Sequence, residues 1–262
     1  MGNDPIGIFD SGVGGTSVWK EVYKLMPYEH TIYLADSKNA PYGEKHPDEI
    51  LRLSIKNTDF LLNRDCKLIV VACNTATTNA IDYLRSNYKV PFIGIEPAIK
   101  PAALQSRSKT VGILATKGTL SSSLFHSTSK NHANGITVIE QEGKGLVNLI
   151  ESGRVHTRET KELLQQILDP MLQQDIDYLV LGCTHYPYLI PVLRELLPKH
   201  VQVIDSGEAV AKQTLNILKG NELLNPSFGK GKHQFYTNKD KAVLNSFLKD
   251  VDTTYETFYL DF

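Results

Sequence analysis

Short runs of mostly apolar residues alternate along this chain with longer segments in which apolar residues recur every three or four positions. The first four runs occupy residues 6–9, 31–34, 68–72 and 90–95. Between them, the segment 48–63 places Leu51, Ile55 and Leu62 on one helical face. Continuous apolar strands separated by amphipathic helices predict an α/β fold, in which a parallel sheet is covered on both faces.

The second part of the chain repeats the pattern of the first part. In matching order and at nearly constant spacing, residues 111–114 resemble 6–9, residues 180–184 resemble 70–74, and residues 201–209 resemble 90–98. Such a repeat is typical of a duplicated unit. We therefore predict two similar doubly wound parallel-sheet domains, with the active site in the cleft between them, because ligands bind at the carboxyl ends of strands in such sheets.

The chain continues beyond the second unit. A helix is predicted over residues 210–218, a short strand over 233–237 and a final helix over 239–248. We expect this tail to return to the first unit. The predicted domains are therefore residues 1–97 with 208–262, and residues 98–207.

Composition and charge exclude several classes of protein. The 262 residues carry a net charge of −1, which argues against a protein built to hold nucleic acid or an anionic membrane. No apolar run is long enough to cross a bilayer. Asp4, Pro5 and Asp10 interrupt the apolar residues near the N-terminus, so a signal peptide is not expected. We expect a cytoplasmic protein.

Two of the three cysteines occupy matching places in the repeat. Cys73 and Cys183 each follow a buried strand and precede a helix, where the helix N-terminus favours a thiolate. Two such thiols on facing domains suit proton removal from one face of a carbon and proton delivery to the other. The alternative is that both are small buried apolar residues. Cys66 lacks this context and is predicted to be non-catalytic.

Polar residues surround the two cysteine positions. Those at strand ends or beside the cysteines are Asp10, Ser11, Asn74, Thr75, Thr116, Thr184 and His185. Hydroxyl, amide and backbone N–H groups can hold carboxylates without a metal. The alternative for each Ser or Thr is helix capping, and for His185 a place on the surface.

The sequence offers no clear cofactor motif. The turn at Gly12 and Gly14 resembles a dinucleotide-binding loop, but Ser17 stands where its third glycine belongs. A zinc site built from Cys73, Cys183 and His185 is conceivable, yet no metal-binding spacing supports it. The basic segment 229–233 is typical of a solvated loop. We therefore expect neither a cofactor nor a metal.

Six motifs resemble those of the aspartate/glutamate racemase family, and of its glutamate racemases in particular. They are residues 9–15 (FDSGVGG), Asp36 with 41–43 (PYG), 72–77 (ACNTAT), 115–119 (ATKGT), 181–187 (LGCTHYP) and 204–206 (IDS). The motifs run in order over residues 6–211. The resemblance implies cofactor-independent interconversion of L- and D-glutamate, which supplies D-glutamate for bacterial peptidoglycan, by a protein that forms a homodimer.

The same resemblance assigns roles to individual residues. It implies that Cys73 and Cys183 are the acid/base thiols, assisted by Asp10, His185 and Glu151. The implied substrate-binding residues are Asp10, Ser11, Pro41, Tyr42, Gly43, Asn74, Thr75, Thr116, Thr119, Thr184 and His185. Two alternatives stay open: a racemase of the same fold that acts on aspartate or another acid, and a non-catalytic protein that clamps a small dicarboxylate.

Overall fold

The computed structural model of the protein describes residues 2–132, 135–227 and 229–262. The strands are β1 (Ile6–Asp10), β2 (Thr31–Ala35), β3 (Leu68–Val71), β4 (Phe92–Gly94), β5 (Thr110–Ala115), β6 (Thr137–Glu142), β7 (Tyr178–Gly182), β8 (Gln202–Ile204), β9 (His233–Thr237) and β10 (Tyr255–Tyr259). The helices are α1 (Thr16–Leu25), α2 (Pro47–Leu62), α3 (Asn74–Asn87), α4 (Ile99–Gln105), α5 (Lys117–Leu120), α6 (Ser123–His132), α7 (Leu146–Glu151), α8 (Arg158–Leu172), α9 (Ile190–Leu196), α10 (Gly207–Gly220) and α11 (Lys241–Ser246). Short 3-10 helices cover Tyr42–Glu44 and Tyr186–Leu189.

The strands form two parallel sheets with the same internal order. In the described part of the chain, one sheet has the order β10-β9-β2-β1-β3-β4 and the other has the order β6-β5-β7-β8. All neighbouring strands in both sheets run parallel. Since β2-β1-β3-β4 corresponds strand by strand to β6-β5-β7-β8, the predicted α/β fold of two similar parallel-sheet units is confirmed.

Residues of the first sheet alternate between two hydrophobic cores. Ile8 packs in a cluster with Trp19 of α1, whereas Phe9 packs in a second cluster with Leu53 of α2 and Ala80 of α3. The strands are buried on both sides because helices cover both faces of the sheet, which is why their sequences are continuous apolar runs.

The C-terminal segment adds two strands to the first sheet. Strand β9 pairs with β2, and β10 pairs with β9 at the edge. Helix α10 packs against α1. The helix predicted over residues 239–248 is shorter, at Lys241–Ser246. The domain boundaries near residues 97 and 207 stay a prediction.

No helix among the described residues is both long and apolar enough to span a bilayer.

Candidate active site

Cys73 lies at the carboxyl end of β3, where the chain turns into α3. It is the N-cap residue of that helix, and its Sγ accepts a hydrogen bond of 3.4 Å from the N–H of Ala76. The side chain is buried. Burial, followed by the nearby Asp10 carboxylate, raises the pKa of the Cys73 thiol well above its usual value. Cys73 is therefore a protonated thiol at neutral pH.

Cys183 occupies the equivalent place after β7 of the second unit. It is buried, and its Sγ lies 3.8 Å from Nδ1 of His185. This thiol therefore has an imidazole as its immediate neighbour, whereas Cys73 has a carboxylate nearby.

Both cysteines line one small, closed cavity. Eleven of the residues that line it are those singled out in the sequence: Ser11, Pro41, Tyr42, Gly43, Cys73, Asn74, Thr75, Thr116, Cys183, Thr184 and His185. Val147 and Gly182 line it as well. The cavity therefore has thiols, hydroxyls and amides on its walls and takes these side chains from both units.

The other three candidate residues lie behind the wall of the cavity. Thr119 is fully buried, and its hydroxyl lies 3.3 Å from that of Thr75. Asp10 accepts hydrogen bonds from the N–H of Gly15 at 2.7 Å and from the hydroxyl of Thr184 at 3.3 Å. Burial raises the pKa of the Asp10 carboxyl above its usual value. Asp10 thus contacts Thr184, which lines the cavity, but does not line the cavity itself.

Glu151, the third of these residues, connects His185 to the first unit. Its Oε1 lies 2.6 Å from Nε2 of His185 and accepts a hydrogen bond of 2.6 Å from the N–H of Val13. Burial alone lowers the pKa of His185, but hydrogen bonds to Cys183 and Glu151 and the Asp10 carboxylate raise it well above its usual value. The imidazole is therefore held in its charged form beside Cys183.

Three threonine hydroxyls join the two units on another side of the cavity. The Thr75 hydroxyl lies 2.8 Å from that of Thr116, and the Thr116 hydroxyl lies 3.1 Å from that of Thr119. Thr75 belongs to the first unit, and the other two belong to the second. Because these hydroxyls form hydrogen bonds mainly with one another, those of Thr75 and Thr116, which line the cavity, can turn towards a polar ligand.

Glycine at position 14 makes room for the His185 ring. A Cβ atom built at Gly14 would lie 2.3 Å from Nδ1 of His185. Any other side chain there would have to displace the imidazole, because non-bonded carbon and nitrogen atoms do not approach so closely. The glycine-rich turn that resembles a nucleotide loop thus provides space for His185 and an N–H donor for Glu151.

Two residues outside the predicted set support the cavity wall. Asp36 accepts a hydrogen bond of 2.5 Å from the Tyr42 hydroxyl, and Asn238 donates one of 2.5 Å to the same carboxylate. Asp36 belongs to one of the six motifs of the family resemblance, which gives it no role in the site. Asn238 directly follows β9, so the general rule that polar residues after parallel strands form sites could have pointed to it.

The described residues contain no group of three or more His, Cys, Asp or Glu side chains placed to hold a metal ion. The residues that line the cavity carry groups that can take part in acid/base chemistry. Two thiols in matching positions face one cavity, one beside a charged imidazole and the other protonated. Such a pair can exchange protons with a carbon atom placed between them.

Comparison with known proteins gives a consistent result. The model of the Asp/Glu/Hydantoin racemase family matches residues 16–214. The chain is 42% identical to the glutamate racemase of Herpetosiphon aurantiacus over 242 residues, which are 92% of this chain and 95% of that protein.

Solved structures show the same fold. The glutamate racemase of Escherichia coli, solved with L-glutamate and the activator UDP-MurNAc-Ala, has a TM-score of 0.84 and 34% identity, with 97% of each chain covered. The glutamate racemase of Francisella tularensis, solved with D-glutamate, has a TM-score of 0.83 and 28% identity, with 98% of each chain covered.

Proposed function

This chain belongs to the Asp/Glu/Hydantoin racemase family, and we propose that it interconverts L- and D-glutamate by proton transfer at the α-carbon, without a cofactor. The observation that carries the proposal is the pair Cys73 and Cys183, which line one cavity from equivalent strand ends of two similar units. Racemisation requires a base on one side of the α-carbon and an acid on the other. A duplicated fold provides both from the same local structure.

The environments of the two thiols set their roles in the resting enzyme. A charged His185 beside Cys183 supplies the positive partner that a thiolate needs. Burial and Asp10 keep Cys73 protonated. We propose that Cys183 acts as the base and Cys73 as the acid at the start of this direction of the reaction.

Turnover exchanges these two states. The Cα–H bond breaks as the Cys183 thiolate takes the proton, and a new Cα–H bond forms on the opposite face as the S–H bond of Cys73 breaks. Cys73 is then the thiolate and Cys183 the thiol, which is the protonation state that the other enantiomer needs. Conversion of one enantiomer therefore leaves the two cysteines in the protonation states from which the other enantiomer can be converted back.

The carboxylates of glutamate need partners that do not compete for the α-proton. Hydroxyls of Ser11, Thr75, Thr116 and Thr184 and the amide of Asn74 lie on the cavity wall. These neutral donors can bind carboxylates and stabilise the negative charge that develops next to the α-carbon. Because they are fixed in a buried cavity, their hydrogen bonds to a charged ligand are stronger than in water.

Access to the site requires the two units to separate. Cys73 and Cys183 are only 5% and 7% exposed. Hydrogen bonds between the units, including Thr75 with Thr116 and Val13 with Glu151, hold the cavity closed. We propose that these contacts open for binding and close on substrate, which excludes water during proton transfer.

The cellular role follows from the family resemblance. D-glutamate produced by this reaction would supply peptidoglycan synthesis, and with it cell-wall biogenesis and cell shape. The proposed location is the cytoplasm, and the proposed assembly is a homodimer.

Exchange of the α-proton tests the proposal directly. The purified chain, dialysed against a chelator and given no cofactor, is incubated in D₂O with each enantiomer of glutamate. We expect proton NMR to show loss of the α-proton, and circular dichroism to show racemisation, from both enantiomers. Absence of exchange from either enantiomer would leave a dicarboxylate-binding protein as the better description, and a need for added pyridoxal phosphate or metal would overturn the cofactor-independent mechanism.

Aspartate provides the comparison for substrate class. The same measurement with L- and D-aspartate should give a much lower kcat/KM than with glutamate. Faster turnover of aspartate would assign the chain to aspartate racemases of the same fold.

A further inference from the structure

A buried carboxylate, that of Asp36, links Asn238, which directly follows β9, to the wall of the cavity. Asp36 follows β2 and is fully buried. Its Oδ2 accepts a hydrogen bond of 2.5 Å from the Tyr42 hydroxyl, and its Oδ1 accepts bonds from the amides of Asn39 at 2.8 Å and Asn238 at 2.5 Å. Three neutral donors thus surround this carboxylate, which balances the cost of burying its charge.

The Tyr42 side chain anchors the segment that faces the substrate. Pro41, Tyr42 and Gly43 line the cavity beside Cys73. Asn57 donates a second hydrogen bond of 3.1 Å to the Tyr42 hydroxyl. A Cβ built at Gly43 would lie 2.7 Å from the Cβ of Thr116, so this segment also touches the second unit. A shift of Tyr42 would therefore change both the cavity wall and its contact with the other unit.

Both ends of the Asn238 side-chain amide form hydrogen bonds. Its Nδ2 donates to Asp36, and its Oδ1 accepts a hydrogen bond of 2.8 Å from the N–H of Lys38. The side chain is buried, at 3% exposed. Only a group with a donor and an acceptor at opposite ends of one planar head satisfies both contacts. An ionised aspartate of the same shape has two acceptors and no donor.

We propose that Asn238 is a positioning residue for substrate binding: through Asp36 it holds Tyr42, and with it the segment 41–43, in the geometry that receives glutamate. The proposal rests on the function proposed above. The side-chain hydrogen bonds of Asn238 reach the cavity wall by way of Asp36, so its effect is on the placement of the wall. Strand β9 therefore contributes to the active site from the far end of the chain.

The variant Asn238→Asp tests the donor role of the amide with nearly the same shape. At low pH the two adjacent carboxyl groups share one proton, and the O–H···O bond replaces the lost amide donor. As pH rises, both groups become charged and repel each other, and Tyr42 loses its anchor. For each enantiomer we compare the variant with the unchanged protein at each pH, as the ratio of their KM values. We expect this ratio to be close to one at low pH and to rise about tenfold or more at high pH.

Two other titratable side chains near this pair, those of Tyr42 and Lys38, are not expected to change their charge in this experiment. Burial raises the pKa of Tyr42 well above its usual value, so Tyr42 stays neutral throughout. The Lys38 ammonium pairs with Asp261 at 2.9 Å, and this pairing, with a smaller effect of Asp36, raises its pKa, so Lys38 stays charged. The pH-dependent ratio therefore reports the Asp36–Asn238 contact.

Two further variants complete the experiment. Asn238→Leu removes both hydrogen bonds and should raise KM at every pH, with kcat changed less than about twofold, because it disturbs binding rather than the thiols. Asn245→Asp places the same charge change on α11 and should leave both constants unchanged. Circular dichroism at each pH verifies that all three proteins are folded.

The outcomes separate this proposal from the function it rests on. If the unchanged protein does not racemise glutamate, the proposed function fails. If it does, and Asn238→Asp keeps the KM of the unchanged protein over the whole pH range, Asn238 is not a positioning residue. A fall in kcat without a change in KM would equally overturn the proposal.

Discussion

The Nε2 atom of His185 lies 2.6 Å from Oε1 of Glu151, and both side chains are almost completely buried. The same Glu151 oxygen accepts a hydrogen bond from the N–H of Val13 in the first unit. One carboxylate therefore does two things: it holds the imidazole in the charged form beside Cys183, and it joins the two units when the site is closed.

Replacing Glu151 with Gln tests the first of these effects. Loss of the negative charge lowers the pKa of His185, so the imidazolium survives only to a lower pH. We expect kcat/KM to fall about 10- to 100-fold for the enantiomer deprotonated by Cys183, and its alkaline limb to move to lower pH. Steady-state rates measured from pH 6 to 10, at about half-unit intervals, give both values.

Glu159→Gln is the matched control for this change, because Glu159 is exposed and pairs with Arg154 at the surface. Its pH profile should equal that of the unchanged protein. An unshifted alkaline limb in Glu151→Gln would show that this carboxylate does not set the charge of His185.

Serine replacements test the two thiols. Cys73→Ser and Cys183→Ser should each lower racemisation at least about 1,000-fold, because a serine hydroxyl is a far weaker acid than a thiol. Both variants should keep the circular dichroism spectrum of the folded protein. Racemisation is followed by polarimetry from each enantiomer of glutamate.

Cys66→Ser controls for the loss of a buried thiol. Burial raises the pKa of Cys66 to about 12, and its side chain packs in the core against Gly7 rather than in the cavity. This variant should keep its kcat. Full steady-state racemisation by either of the other two variants would rule out the two-thiol mechanism.

Gly14→Ala should inactivate the enzyme without touching a thiol. The added Cβ would lie 2.3 Å from Nδ1 of His185 and would push the ring away from Cys183. We expect kcat to fall about 100-fold, which is the usual cost of displacing a group that assists proton transfer. Gly220→Ala is the control, since its added Cβ meets open space, and normal kcat in Gly14→Ala would contradict this placement of His185.

His233 should make folding stability depend on pH in the acid range. Burial, with a smaller effect of His30, lowers the pKa of His233 to about 4, whereas an unfolded histidine has a pKa of about 6.5. Between these values the unfolded chain binds the proton and the folded chain does not. The free energy of unfolding therefore keeps its full value above pH 6.5 and decreases as pH falls towards 4. The total loss due to His233 is about 3 kcal/mol.

Urea unfolding at several pH values measures this contribution. His233→Gln should be less stable at neutral pH, since it loses packing against Trp19, but its stability should fall less steeply between neutral pH and pH 4. His200→Gln, at an exposed position, should keep the slope of the unchanged protein. Equal slopes for all three proteins would refute the prediction.

The sequence reveals the central strands of each sheet and the edge strands β4 and β8, but not the edge strands β6 and β10. Strands β1, β3 and β7 are continuous apolar runs because helices cover both of their faces. Strands β6 and β10 lie at the edges and were not predicted. Their sequences mix glutamates with apolar residues, and most of their positions are partly or fully exposed. An edge strand has less surface to bury, so its sequence carries a weaker hydrophobic signal.

The amino-acid sequence by itself determined which chemical groups stand at the carboxyl ends of the strands: two thiols, a carboxylate, an imidazole and several hydroxyls. Local periodicity suffices for this, because a buried strand followed by a helix is readable within some twenty residues. Only the tertiary structure decided which of these groups meet. Glu151 reaches His185 and Val13, and Asn238 reaches Asp36, across long stretches of chain. Such contacts depend on how two units and a returning strand pack together, and no local pattern encodes that geometry.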